Sequence, residues 1–464
     1  MTTVQQVPKR SVAGNLQDIF DRDLDTVISE RVRPSLQQLR SIEREIHVQQ
    51  TESTSARAME IAGIFSAIQM ELKEFADPVT LDMLQSVKNY YSALCFSQDS
   101  NPCVNSLLKN DQLIEKAVSF HLEGKRLEAS KAYCAALKET SMDKDWVNTY
   151  YLMKSLASLY SQTQDVAQLI EAAGMYNYCL RLLDTHLSID DQAEIIACLA
   201  QIETTLLTLT ERPGTDSAGF ATQFNSNREF LAGFRSQIAS RLKALDENNL
   251  TTEIKSLEEE IVQRVKDFVC LLASQSISLI GPPPCDYAII GLGSLARRDT
   301  TPYSDLEFAL LIREDSMDIR SYFKLFTRLM QLKVVNLGET ILPALGINDL
   351  LESRFYDSVI PRGFAFDGAG VKGKGCKTPL GNGKSFELLQ TPEKMAAYVG
   401  LDESDGRFWF EKEPHLPLEM INCMSLIGDE SLVIDYQQAI QKELQRDVPG
   451  YGLRWTHLSR QFFA

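Results

Sequence analysis

"IIGLGSLARRDTTPYSDLEFALLI", residues 289–312, decides how the rest of the chain is read. It begins apolar, turns through Gly291, Leu292, Gly293 and Ser294, and crosses Arg297 and Arg298. It returns as an apolar segment that carries Asp305 and Glu307. The pattern predicts a strand, a glycine-serine turn and a second strand. Residues i and i+2 of a strand point to one face, so Asp305 and Glu307 would project side by side. Adjacent carboxylates repel unless cations sit between them. Hard oxygen ligands at this spacing suit Mg²⁺, which is held by one or two carboxylates together with substrate phosphates. A pair of such ions stabilises the attacking and leaving oxygens of an in-line displacement at phosphorus.

The turn upstream complements the acids. If Gly293 and Ser294 open a helix, backbone N–H groups and a hydroxyl reach a triphosphate. Arg297 and Arg298, one turn further, are placed to meet phosphate oxygens. An Asp-x-Glu alone is usually just solvated, and a Gly-Ser before a helix is equally common. The signal is their combination: strand, Gly-Ser, ten intervening residues, then Asp-Leu-Glu in an apolar strand.

That combination, "GSLARRDTTPYSDLEFALL", resembles the nucleotidyltransferase superfamily. It is most similar to the group related to the N-terminal domain of bacterial PII-protein uridylyltransferase. "SLIGDESLV", Ser425 to Val433, resembles a Gly-Asp helix junction found downstream in those proteins. The resemblance implies that Gly293 and Ser294 hold nucleotide phosphates and that Asp305 and Glu307 ligate Mg²⁺ (or Mn²⁺). Arg297, Arg298 and Ser304 join the nucleotide-binding set. It also implies a third carboxylate on a later strand that helps activate the acceptor, with Asp367 in "GFAFDG" as candidate and Glu339 in "NLGET" as runner-up. The expected reaction moves a nucleoside monophosphate from a nucleoside triphosphate to an acceptor hydroxyl. The acceptor is expected on a protein, with a small molecule or a nucleic-acid end as alternatives. A catalytically inactive scaffold that binds other proteins is the remaining reading.

Outward from the motif, an α/β nucleotidyltransferase-like domain with a short mixed sheet and flanking helices is expected over 251–400. Its first element is a long helix, "TTEIKSLEEEIVQRVKDFVCLLASQSISLI", with a Thr N-cap signal and early acids. "GPPP" ends it, because proline cannot continue a helix. "CDYAIIGLG", "LEFALLI", "KVVNLG" and "GFAFDG" read as strands, and "SYFKLFTRLMQL" as helical. The glycine- and lysine-rich stretch Gly363 to Gly383 reads as a long loop or hairpin. Residues 401–464 read as a helical C-terminal extension, and the aromatic end at Trp455, Phe462 and Phe463 suggests a chain that continues in a longer protein.

Before the motif, 1–17 read as a disordered lead-in and 18–250 as helix after helix. "ARAMEIAGIFSAIQMELKEFA", "TLDMLQSVKNYYSALCF" and "EFLAGFRSQIASRLKALDE" repeat apolar residues at spacings of three and four. "AVSFHLEGKRLEASKAYCAALKE" predicts two helices around a tight turn at Gly124. Small residues alternate with aromatics there, which suits either an all-α bundle or a degenerate TPR-like domain. This half offers no catalytic cluster, so recruitment of a partner or regulation is its expected role.

The net charge of −16 over 464 residues argues against duplex nucleic acid as the main partner. No run of apolar residues is long enough to span a bilayer, and the N-terminus has no apolar core of a signal peptide. Nine scattered cysteines without metal-type spacing read as free, mostly buried thiols. Together these suggest the cytoplasm, with delivery into another cell left open. "GNGKS" at 381–385 lacks the glycine a phosphate loop needs, because position 378 is threonine. Lys372, Lys374, Lys377 and Lys384 read as a solvated loop, and His415 as a surface or packing residue.

Overall fold

The computed structural model describes residues 113–121, 123–142, 145–185, 191–209, 219–246, 249–345, 347, 363–366, 379–380, 386–402, 404–448 and 452–453. The lead-in, the first two amphipathic segments quoted above, Asp367, "GNGKS" with its neighbouring lysines, and the aromatic chain end lie outside these residues. By its internal contacts the chain forms two units. One holds the described residues up to Thr163 together with 178–185. The other holds 164–177 and the described residues from Asp191 onward.

In the first unit the turn expected at Gly124 is present, with φ +68, after helical residues 113–121. It leads into α1 (Arg126–Met142), which packs on α2 (Trp146–Ser161). Arg126 closes the hairpin. Its Nη2 donates to the carbonyl of Leu159 at 2.8 Å and its Nη1 to that of Gln162 at 3.2 Å. A cation there satisfies carbonyls that the end of α2 leaves open and complements its dipole. Between the helices, Ala129, Ala136, Leu137, Tyr150 and Leu156 are fully buried. The residues of α3 (Val166–Thr185) are divided between the two units at 177/178.

The second unit is built on two short strands, β1 (Tyr287–Gly291) and β2 (Phe308–Ile312). Ala288, Ile289, Ile290 and all of Ala309 to Ile312 have no exposed surface. A strand covered on both faces reads as a continuous apolar run rather than an alternation, which is how both appear in the sequence. The remaining described strands are β3 (Leu389–Gln390), β4 (Leu401–Asp402), β5 (Arg407–Phe408), β6 (Met424–Gly428), β7 (Asp447–Val448) and β8 (Gly452–Leu453), with β4–β5 and β7–β8 as separate two-stranded pairs. The main sheet runs β3-β2-β1-β6. β1 is antiparallel to β2 and β6, and β3 is parallel to β2, so the sheet is short and mixed as expected.

Helices supply both covers. After the part of α3 that belongs to this unit come α4 (Gln192–Leu209), α5 (Phe220–Lys243) and α6 (Leu250–Ile280). The short α7 (Gly293–Arg297) and the long α8 (Met317–Val335) follow. Then come α9 (Pro392–Ala396), α10 (Trp409–Lys412), α11 (Leu416–Ile421) and α12 (Glu430–Gln445). Ala288, Ile290, Ala309 and Leu311 pack with Met395 of α9, Met420 of α11 and Leu432 and Tyr436 of α12. Tyr287 of β1 instead meets Phe323 of α8, ring centroids 5.3 Å apart.

Several expectations change. The helices after Asp191 belong with the sheet, so the units do not divide near residue 250. Lys333 of α8 and Glu203 of α4, 3.4 Å apart and almost fully buried, show how closely those helices are joined to it. Within 401–464, expected to be helical, Met424–Gly428 form a strand of the sheet. "KVVNLG" is not a strand: Lys333 to Val335 form the last turn of α8, and Asn336 to Gly338 a turn after it. Its β-branched residues suggest a strand, but Leu332 to Leu337 are all buried at the end of α8, and that packing overrides the propensity. "GFAFDG" contributes a single bridge, Phe366 with Leu306, among its described residues. The long helix is as expected except that Asn249, not a threonine, is its N-cap.

No described helix is long and apolar enough to cross a membrane. The six described cysteines are free; Cys134 and Cys179 are buried and the other four partly exposed, so "mostly buried" is too strong for these.

Candidate functional site

β1 ends at Gly291 opposite Phe308 of β2. The ladder continues one step, because the Leu292 N–H donates to the Glu307 carbonyl at 2.9 Å. The chain then turns into α7, with Gly293 at φ +56. A side chain is excluded there on two grounds. The backbone is left-handed, and a Cβ would lie 1.3 Å from Oε2 of Glu307. The glycine-serine turn and the second acid therefore meet directly.

Asp305 and Glu307 precede β2 rather than lying within it. The alternation expected of a strand still holds. Leu306 is 3% exposed, while Asp305 and Glu307 on either side of it are only partly buried. Leu306 is pinned by its N–H to the Ala365 carbonyl at 2.7 Å and by its parallel bridge to Phe366. Oδ1 of Asp305 is shut off from solvent. Asp367 follows Phe366 directly in sequence but lies outside the described residues.

The far end of α7 is tightly wound. Arg298 has φ 64, the one left-handed non-glycine among the described residues. Its N–H donates to Leu295 at 3.2 Å, and the Asp299 N–H donates to Ser294 at 3.0 Å. Such a conformation costs roughly 1–3 kcal/mol and persists only where the surroundings enforce it. The turn leaves Arg297 and Arg298 exposed beside the acids' approach in sequence. Arg297 is half exposed and pairs with Asp299 at 3.3 Å, with Glu419 at 3.9 Å. Ser294 is partly buried. The Ser304 hydroxyl accepts from the Thr301 N–H at 2.9 Å and lies 3.1 Å from the Thr301 hydroxyl, so it orders the turn before Asp305.

Glu339, the runner-up third acid, is held by a different partner. Arg235 of α5 grips it with both terminal nitrogens, Nη2 to Oε2 at 2.8 Å. The Phe364 N–H also donates to Oε2, at 2.7 Å. Sequence reasoning had no signal for Arg235, which lies more than a hundred positions from its partner.

Two hard carboxylates around one backbone pleat, one of them pressed to a glycine that opens a helix, fit a small divalent cation that also takes phosphate oxygens. Among the described residues no three His, Cys, Asp or Glu side chains gather as a metal cluster. His415 sits exposed at the N-cap of α11.

Comparison with curated proteins gives no match. Residues 236–341, which hold β1, β2 and both acids, match the family model described as "Putative nucleotidyltransferase DUF294".

Proposed function

We propose that this unit transfers a nucleoside monophosphate from a nucleoside triphosphate to an acceptor hydroxyl. The observation that carries the reading is the approach of Glu307 to Gly293, which joins the phosphate-type turn and the acid pair into one site. Asp305 and Glu307 would hold Mg²⁺ or Mn²⁺, which when bound neutralises charge on the triphosphate and on the displaced oxygen. The Gly293–Ser294 turn orients the triphosphate tail, and Arg297 and Arg298 offer cations to its oxygens. Ser304 acts from behind by fixing the Thr301–Ser304 turn that leads into Asp305. The acceptor oxygen attacks the α-phosphorus, the bond to the bridging oxygen breaks, and pyrophosphate leaves with that electron pair. Asp367 is the proposed carboxylate that takes the hydroxyl proton. The helical unit, with its hairpin of α1 and α2, is proposed to recruit a protein acceptor.

The test incubates the full chain with Mg²⁺ or Mn²⁺ and each α-labelled ribonucleoside triphosphate, with and without cell lysate, beside Asp305→Ala. Label on a protein band that requires Asp305 supports the reading and identifies the base. Pyrophosphate release without labelled protein redirects the acceptor to a small molecule or a nucleic-acid end. Neither product above the Asp305→Ala control overturns transfer and leaves a binding scaffold.

A further inference from the structure

Arg228 and Arg235 lie seven residues apart on α5, so they share one helix face. Both reach the segment that follows α8. Arg228 donates through Nε to the Asn336 carbonyl at 2.9 Å and through Nη2 to Oδ1 of Asn177 at 2.6 Å. Arg235 pairs with Glu339 through both terminal nitrogens and donates through Nε to the Pro302 carbonyl at 3.1 Å. Its guanidinium lies 4.2 Å from the centre of the Tyr303 ring. Glu339 in turn accepts from the Phe364 N–H, and a Cβ on Gly363 would lie 2.2 Å from its Oε2.

One guanidinium therefore holds two stretches of backbone. The first, Pro302–Tyr303, enters Asp305. The second, Gly363–Phe366, forms the bridge to Leu306 between the two acids. The pair is sheltered, with side-chain exposures of 16% for Arg235 and 20% for Glu339. The planar fork matters here, because a lysine can supply the charge but not three directed bonds to two partners. The family match begins one residue after Arg235, so nothing in it assigns this side chain a role.

Building on the proposed transfer reaction, we infer that Arg235 is its positioning residue, acting through Glu339 to set the backbone on both sides of Asp305 and Glu307. α5 thereby becomes the element through which packing outside the sheet controls how well the acids are aligned. The role is geometric: Arg235 neither binds phosphate nor moves a proton.

The test compares full-length wild type with Arg235→Gln, Arg235→Lys and Glu339→Gln. Activity is normalised to folded protein, and amide hydrogen exchange is read in the same samples. Arg235→Gln should lower kcat about ten- to hundredfold with little change in KM for the nucleoside triphosphate, as misplacement of reacting groups does. Arg235→Lys should recover only part of the loss. The amides of Leu306 and Phe364 should exchange faster in Arg235→Gln, while those of Ile289 and Ile290 stay protected. Unchanged exchange at Leu306 and Phe364 overturns the brace, whatever the activity. Faster exchange with unchanged kcat per folded molecule, or a rise in KM alone, overturns the positioning role. An inactive wild type overturns the transfer reading and the catalytic part of this inference with it, while the exchange data still judge the brace.

Discussion

Oε2 of Glu307 occupies the space a Cβ on Gly293 would need, 1.3 Å from its ideal position. Gly293 also sits at φ +56. Gly293→Ala therefore has to displace the carboxylate and strain the turn together. It should destabilise the protein by on the order of 2–3 kcal/mol and abolish nucleotide transfer. Glu307→Ala in the same chain should recover much of the stability but none of the activity. A thermal-unfolding double-mutant cycle reads the coupling. Independent, additive losses would show that the two residues do not press on each other.

A second glycine holds the edge of the sheet. Gly428 ends β6 at φ +99, and a Cβ there would lie 2.1 Å from the Tyr287 carbonyl oxygen. That same carbonyl accepts the Asp429 N–H at 2.8 Å, and the Asp429 side chain then caps α12 by accepting from the Ser431 N–H. Gly428→Ala should push β6 off β1 and loosen the cap. The expected loss is about 1–3 kcal/mol, measured by denaturant unfolding, with faster amide exchange at Ile289 than at Leu311. Equal protection of both amides in the variant would count against the edge-strand account.

These two glycines show what was legible in the sequence. The two strands and the glycine-serine turn around 289–312 are legible because each is written in adjacent residues, and the turn does open a short helix. The Gly428–Asp429 junction is visible as a motif, yet Met424–Gly428 before it read as part of a helical stretch. Five residues, Met424 to Gly428, carry too little periodicity to separate an edge strand from a helix end. "KVVNLG" misleads in the opposite direction, since a helix end buried on all sides carries the same continuous apolar run as a covered strand. The acids were found, but not their placement ahead of β2, which depends on the distant bridge between Leu306 and Phe366. Arg235 was invisible for the same reason: its partners at Pro302 and Glu339 come from other elements.

The buried pair of Lys333 and Glu203 should be sensitive to removal of one charge. Their side chains are 5% and 4% exposed, and Lys333 also donates to Gln223 at 3.2 Å. Burial pushes the Lys333 ammonium below its usual range, with Glu203 opposing. Because the folded form binds its proton less tightly than the unfolded chain, Lys333 costs stability at neutral pH, and that cost is relieved as pH rises toward about 10.4. Lys333→Met leaves Glu203 buried alone and should destabilise by about 3–5 kcal/mol. Lys333→Met with Glu203→Gln should regain most of it. Chemical denaturation of the three proteins decides the matter, and a single variant as stable as wild type would show that the pair is solvated rather than buried.

Acid sensitivity should arise at the hairpin of β4 and β5. Hydrogen bonds from Lys412, and then from Ser404, hold the Asp402 carboxyl down at about 2. Lys412 Nζ lies 2.6 Å from Oδ2 of Asp402, and also 4.9 Å from the centre of the Trp409 ring. The folded value lies below the unfolded one of about 3.9, so the native state releases this proton first. Asp402 thus contributes stability that is fully present above about pH 4 and is lost as pH falls through about 2. Asp402→Asn should lower stability by a constant amount above that window. The difference from wild type should shrink as the pH drops through it, because wild type loses the same interaction by protonation. Denaturant unfolding of both proteins between neutral and acid pH measures the difference directly, and the Asp402 carboxyl ¹³C shift reports the titration. A stability difference that stays constant down to pH about 2 would mean the carboxylate is not held by Lys412 and Ser404 in the folded chain.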